Sequence, residues 1–268
     1  MAFIIGKDCK IHPSAFINVE EGFLGDRSII NEGARIEGHK VEIGKEAFID
    51  RFSIIGGGSC FDKSAYLKAG DWLHMGMNSQ INIARGVDIG NEFGCGVETK
   101  IFTHGAYIDS YSLGAPIQWD GITIGNNVWL PNAWVNPGVD IGSNVIAAAR
   151  SLIKDSVPSN TFIAGIPAKV IKENAFKEPE IDVKSKLIDL IMSQCKDRPE
   201  INNKWEYFFN KDTEILSIIY DASRAYFDLK NRTISGDADK QFLIIKDQLR
   251  RNGIRFKFYI DGNNWASW

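Results

Sequence analysis

Apolar residues return at every sixth position along much of the chain. The first series is Ile43, Ile49, Ile55, Phe61, Leu67 and Leu73. It resumes at Met77, Ile83, Ile89, Cys95 and Ile101, then at Ile124 and Leu130, and finally at Val135, Ile141, Ala147 and Ile153. Two residues earlier sits a second, often smaller, inward candidate: Ala47, Ser53, Ser59, Ala65, Val87, Thr99, Val128, Ala133, Val139, Val145 and Ser151. A spacing of two within the unit is strand alternation. Gly follows the apolar residue at Gly44, Gly56, Gly90, Gly125 and Gly142, and Asn or Ser comes next at Asn91, Asn126 and Ser143, which is turn chemistry. A six-residue unit cannot bury its own apolar face, so such units must stack into coils. The pattern predicts a mainly β fold, a parallel β-helix, over residues 1–172. An ordinary β-sandwich of short strands would not hold a six-residue register over so long a span.

The register breaks in two places. Leu130 to Val135 is a step of five. Between Ile101 and Ile124 the repeat stops, and residues 103–121, THGAYIDSYSLGAPIQWDG, read as a loop leaving the wall. Beyond residue 172 the period is lost. Residues 173–180 are charged, contain Pro179 and read as a linker. Residues 181–268 read as a small α+β domain. It comprises a helix over 181–195 with Val183, Leu187, Leu190 and Ile191 on one face, and strands over 214–220 and 226–234. A helix capped by Asp237 then runs to Arg251 with Phe242, Ile245 and Leu249 on one face, Gly253 stops it, and a last strand covers 254–260. This domain would bind an acceptor, pack on an oligomer or stabilise it.

The chain has 268 residues, a formal net charge of −3 and 44% hydrophobic residues. There is no basic stripe of the kind nucleic-acid binders carry. Cys9, Cys60, Cys95 and Cys195 are far apart, which indicates neither a zinc ribbon nor a disulfide framework. The first residues are too soon charged for a signal peptide, and no apolar run has the length of a membrane span. The expectation is a cytoplasmic protein.

The stretches ITIGNNVWL (122–130), NPGVDIG (136–142) and AGIPAKVIK (164–172) resemble the hexapeptide-repeat acyltransferases. The nearest pattern is that of the galactoside and maltose O-acetyltransferases and the O-acetyltransferases of surface-polysaccharide synthesis. The likeness covers roughly residues 30–172 and follows the family's order of repeat, His-bearing loop and closing basic motif. It implies a left-handed parallel β-helix, a homotrimer, and acetyl-CoA as donor bound between subunits. The sequence departs from those enzymes at Leu130-Pro131, where they carry Ile-Gly, in having one residue fewer before Asn136, and at Arg150, where they carry a small residue.

Acetyl transfer to a hydroxyl needs a base, and imidazole suits the task. The four histidines are His12, His39, His74 and His104. Only His104 opens the long loop, where the resemblance puts the catalytic base; His74 reads as a rim residue. Asn78, Asn82, Asp109, Trp119 and Asp120 are candidate acceptor-binding residues, each alternatively a turn or packing residue. The resemblance implies coenzyme contacts near Trp129, Trp134, Ala147 and Ala149. It also implies phosphate contacts by Lys169 and Lys172, with Lys154 as a further candidate cation. The histidines are too dispersed for the zinc site of the β-helical carbonic anhydrases, so no metal is expected. Three functions stay open: O-acetylation of a sugar, N-acetylation of an amino sugar or drug, and an inert β-helical scaffold.

Overall fold

The structure is a computed structural model, and it describes residues 2–106, 108–201, 204–237 and 239–256, with the backbone of 258–259. The chain divides into two compact units, 1–177 and 178–268.

The first unit is a parallel β-helix with three walls. The first wall stacks the end of Arg35–Ile43 with Tyr66–Ala69, Val87–Ile89, Ile122–Ile124 and Asp140–Ile141. The second stacks Lys10–Ile11, Ile29–Ile30, Phe48–Ile49, His74–Met75, Gly94–Cys95, Val128–Leu130, Val145–Ala147 and Thr161–Gly165. The third stacks the start of Arg35–Ile43 with Ile54–Gly56, Gln80–Asn82, Lys100–Ile101, Trp134–Val135 and Leu152–Ile153. Arg35–Ile43 serves two walls by turning a corner at Gly38, whose φ of 153° suits glycine.

Alternation explains the core. The three-residue strands of the first and second walls turn two side chains inward, such as Val87 and Ile89 or Val128 and Leu130, and these are buried. Burying one such aliphatic side chain contributes roughly 1.5–3 kcal/mol. The smaller inward column of the third wall holds Ser53, Ser79, Thr99 and Ser151, all buried. Their hydroxyls donate to turn carbonyls of Gly76, Gly96, Leu130 and Ala148 at 2.7–2.8 Å, so none of these four hydroxyls is stranded.

The turns between first and second walls show why the repeat carries Gly followed by Asp, Asn or Ser. The side chain of Asn91 accepts the N–H of Asp71, Asn126 accepts that of Asn91, Ser143 that of Asn126, and Ser159 that of Ser143, at 2.7–3.0 Å. Each glycine lies against the next coil's turn. A Cβ on Gly90 would sit 2.6 Å from Asn126 Oδ1 and 2.9 Å from the Asn126 backbone N.

Some inward assignments need correction. Phe61 and Ser59 are exposed, Cys60 is buried in their place, and Met75 rather than Met77 enters the core. Residues 57–64 leave the wall, and Leu67 and Ala69 re-enter opposite Val41 and Ile43, which resets the register. The second excursion, 103–121, is a short hairpin. His104–Gly105 pairs antiparallel with Gln118–Trp119, and helix α1 (Ser110–Leu113) lies between them. Tyr107 falls outside the described residues.

The C-terminal unit has an antiparallel sheet of Trp205–Asn210, Ile215–Tyr220, Ser223–Asp228 and Thr233–Gly236, joined in parallel by Phe258–Tyr259. It also has helices α2 (Ile181–Lys196) and α3 (Lys240–Arg251). Helix α3 buries Phe242, Ile245 and Leu249 as its spacing predicts. Its cap is Asp239, which accepts the N–H of Gln241; Asp237 instead accepts the N–H of Arg224 at the sheet edge. Helix α2 buries Ile188, Ile191, Met192 and Cys195, while Val183, Leu187 and Leu190 are exposed. The strand expected over 226–234 is two strands with a turn between, and Trp205–Asn210 is an additional strand. Of the strand expected over 254–260, residues 254–256 are irregular and Lys257 and Ile260 lie outside the described residues. Among the described residues, no helix is long and apolar enough to cross a membrane.

Candidate active site

At the corner between third and first walls, the coil ending in Asn82 lies against the coil ending in His104. Asn82 is buried, and its Oδ1 is the focus of three groups. The Ala84 N–H lies 3.2 Å away, the Thr103 hydroxyl 2.9 Å and His104 Nδ1 3.0 Å. A backbone N–H only donates, so the atom facing Ala84 must be the amide oxygen. His104 Nδ1 therefore donates, and in the neutral imidazole Nε2 is the nitrogen left without a proton. Thr103, fully buried, fits the same logic: its hydroxyl accepts the Arg85 N–H at 3.1 Å and donates to Asn82.

The hairpin fixes the ring from the other side. Trp119, paired with His104 across the hairpin, stacks on the imidazole at 4.9 Å and 18°. Two contacts fasten the hairpin: the Asp120 N–H donates to the Thr103 carbonyl at 3.1 Å, and Gln118 Nε2 donates to the Pro137 carbonyl of the next coil at 3.0 Å. The Arg85 guanidinium lies over the Trp119 indole at 4.6 Å, and its Nη1 is 3.7 Å from Asp62 Oδ2.

The structure thus gathers Asn82, His104 and Trp119. Asp120 is at the hairpin's base with its side chain exposed. Asn78 is separate: it occupies an exposed turn between second and third walls with φ of 59°, and its carbonyl accepts from Lys100. Asp109 caps α1. The N–H groups of Ser112 and Tyr111 bond its carboxylate and hold it below the usual range. The other histidines have other partners: Ser14 for His12, Glu20 for His39, and the Phe48 ring for His74. Arg85, Thr103 and Asp62 were not among the expected residues. Their only sequence signal is position, since Arg85 closes the corner one coil before His104.

A groove of about 310 Å³ runs over the outer face of the third wall, lined by Asn132, Trp134, Arg150, Ser151, Leu152 and Ile166. Trp134 is exposed and edges onto Phe102 at 5.8 Å. Pro131-Asn132 is the shortened turn, with Asn132 at φ of 53°. Trp129 is on the second wall, tilted against His74. Ala147 turns its side chain inward into the core. Ala149 is exposed on the turn before Arg150. Lys154, Lys169 and Lys172 are all exposed, and Asp155 lies 3.1 Å from Lys154 Nζ and 3.8 Å from Lys169 Nζ. Among the described residues, no three His, Cys, Asp or Glu side chains converge to hold a metal ion.

No family model matches the chain. Over 116 residues it is 31% identical to a putative lipopolysaccharide biosynthesis O-acetyl transferase of Escherichia coli strain K12, covering 40% of this chain and 57% of that protein. It therefore spans little more than half of that relative. Over 146 residues it is 30% identical to the galactoside O-acetyltransferase of the same organism, covering 50% of this chain and 71% of that enzyme. A solved maltose O-acetyltransferase from Clostridium difficile is 19% identical with a TM-score of 0.35, covering 65% of this chain and 69% of that one. On the match to the galactoside enzyme, the chain belongs to the hexapeptide-repeat acyltransferase family, and its repeat unit is that family's left-handed parallel β-helix.

Proposed function

We propose that this protein transfers an acetyl group from acetyl-CoA to a sugar hydroxyl, with His104 as general base, in the synthesis of a surface polysaccharide. The observation that carries the reading is the Asn82–His104 hydrogen bond of 3.0 Å, which keeps Nε2 free to accept a proton. Nε2 takes the acceptor's hydroxyl proton as the oxygen attacks the thioester carbonyl. The tetrahedral intermediate collapses with cleavage of the C–S bond, and the imidazolium returns its proton to the leaving thiolate. Stacking on Trp119 restricts the ring's rotation, which supports orientation at low entropic cost.

The groove beside Trp134 suits a thin apolar arm ending in the thioester. Arg150 on its rim and the exposed Lys154, Lys169 and Lys172 suit the phosphates of the donor. A homotrimer is part of the proposal. The outward residues of the first wall are polar, Glu42, Lys68, Asp88, Thr123 and Asp140, as befits a wall in water. Those of the second, after Lys10 at its start and apart from Gly94, are Ile29, Phe48, His74, Trp129, Ile146 and Phe162, as befits contact with another subunit. A monomer mass by light scattering at micromolar concentration would count against it.

The test of the mechanism is thiol release from acetyl-CoA across a panel of sugars, for wild type and His104→Ala. The variant is expected to lose ~10²–10⁴-fold in kcat while still binding acetyl-CoA. Near-normal turnover on a true acceptor would overturn the assignment.

A further inference from the structure

Beside the imidazole stands a cation that the transfer chemistry does not use. Arg85 is built into the same network as His104: its N–H goes to Thr103 Oγ1, and the preceding N–H, of Ala84, goes to Asn82 Oδ1. Its guanidinium is held in two ways. Nη1 donates to the Ala84 carbonyl at 2.6 Å, and the planar group lies over the Trp119 indole, the same indole on which His104 stacks. Among the described residues, that is its only side-chain hydrogen bond. Its nearest carboxylate, Asp62, stands at 3.7 Å, beyond hydrogen-bond reach, on the excursion at 57–64. The Asp62 side chain is 55% exposed and that of Arg85 31%. The result is an oriented guanidinium, partly open to solvent and one aromatic ring away from the base. Planar groups of this kind take a carboxylate in paired hydrogen bonds.

We propose that Arg85 binds a carboxylate of the acceptor, so that the site selects an acidic sugar, with Asp62 as the internal competitor that the substrate's carboxylate displaces. This rests on the reading of His104 as the base of an acetyl-transfer site.

The test uses matched pairs, glucuronate with glucose and galacturonate with galactose, each measured for binding by saturation-transfer NMR and for turnover with acetyl-CoA. Wild type is expected to favour the acid of each pair. Arg85→Gln should weaken the acids about tenfold or more and the neutral sugars little, because one charge-assisted pair is lost. Asp62→Asn should move the acids the other way, to tighter binding. If Arg85 served only to hold Trp119, Arg85→Gln would weaken acid and neutral sugars alike, and that result overturns the proposal. So does equal binding of the two members of each pair by wild type, failure of either acid to bind, or weaker acid binding in Asp62→Asn. Acid preference that vanishes in Arg85→Gln upholds Arg85 even if no sugar is acetylated; that failure would fall on the transfer reaction alone.

Discussion

Asn82 ends a strand of the third wall and His104 opens the hairpin one coil on, and the amide oxygen of the first takes the Nδ1 proton of the second across 3.0 Å. The base's tautomer is therefore set by the stacking of coils and not by the hairpin on which the histidine rides. Asn82→Ala is expected to lower kcat on the order of 10²-fold, because the wrong tautomer offers no acceptor at Nε2, with acetyl-CoA binding unchanged. Asn82→Asp keeps an acceptor there, and its charge favours imidazolium. The acid limb of its pH–rate profile should move to higher pH than in wild type. An unshifted limb with full activity in both variants would show that Asn82 does not hold the ring.

The paired replacement of Lys169 and Lys172 by Ala is expected to raise KM for acetyl-CoA about tenfold and leave kcat within about twofold, as for lost uniform binding. Lys169 shares Asp155 with Lys154, so Asp155→Asn should act oppositely and lower KM. Steady-state kinetics at fixed acceptor decides this; a collapse in kcat at unchanged KM contradicts the role.

Gly90→Ala is expected to destabilise the β-helix by about 1–3 kcal/mol, the cost of overpacking against atoms that cannot yield. The new Cβ would meet the Asn126 backbone and disturb the bond from Asn91 N–H to Asn126 Oδ1. Gly58, with nothing within 4 Å of its would-be Cβ, is the control and should tolerate Ala. Urea midpoints of the two variants make the comparison.

The C-terminal unit carries its own acid-sensitive contact. Burial pushes the Asp247 carboxyl up, but hydrogen bonds from Arg250, Arg198 and Arg251 outweigh it and hold the pKa at about 2, against an ordinary 3.8. A carboxyl depressed by folding stabilises the fold above its unfolded pKa, and that stabilisation is lost as pH falls through the folded value. After solvent screening, about 1–2 kcal/mol should be lost between pH ~4 and ~2. In Asp247→Asn the urea midpoint of this unit should be lower at pH 7 and vary less with pH across that window.

The repeat, its turns and the histidine at the loop's mouth were legible because each is local: a strand needs alternation, a tight turn needs Gly and Asn. Register was legible only between excursions. From Leu67 the six-residue count leads to Leu73, which is buried, but the partner two residues on, Met75, was missed because Leu67 re-enters at the smaller inward position. Asp237 and Asp239 both look like helix caps in sequence, and only the sheet edge, where Arg224 claims Asp237, separates them. Arg85 was invisible for the opposite reason. Its role comes from Trp119 and Thr103, which meet it only when the coils stack.

A stack of parallel coils is a template, since its last strand offers the next molecule the same edge that it offered its own chain. At the second wall this growth is stopped. Ala168–Lys172 turns back and pairs antiparallel with Thr161–Gly165, so the direction of the strands reverses and no further parallel coil can register on that edge. Lys169 and Lys172 stand on the reversing strand, and charge there discourages edge-to-edge pairing. The segment that closes the coil thus caps this edge of the second wall against end-to-end addition.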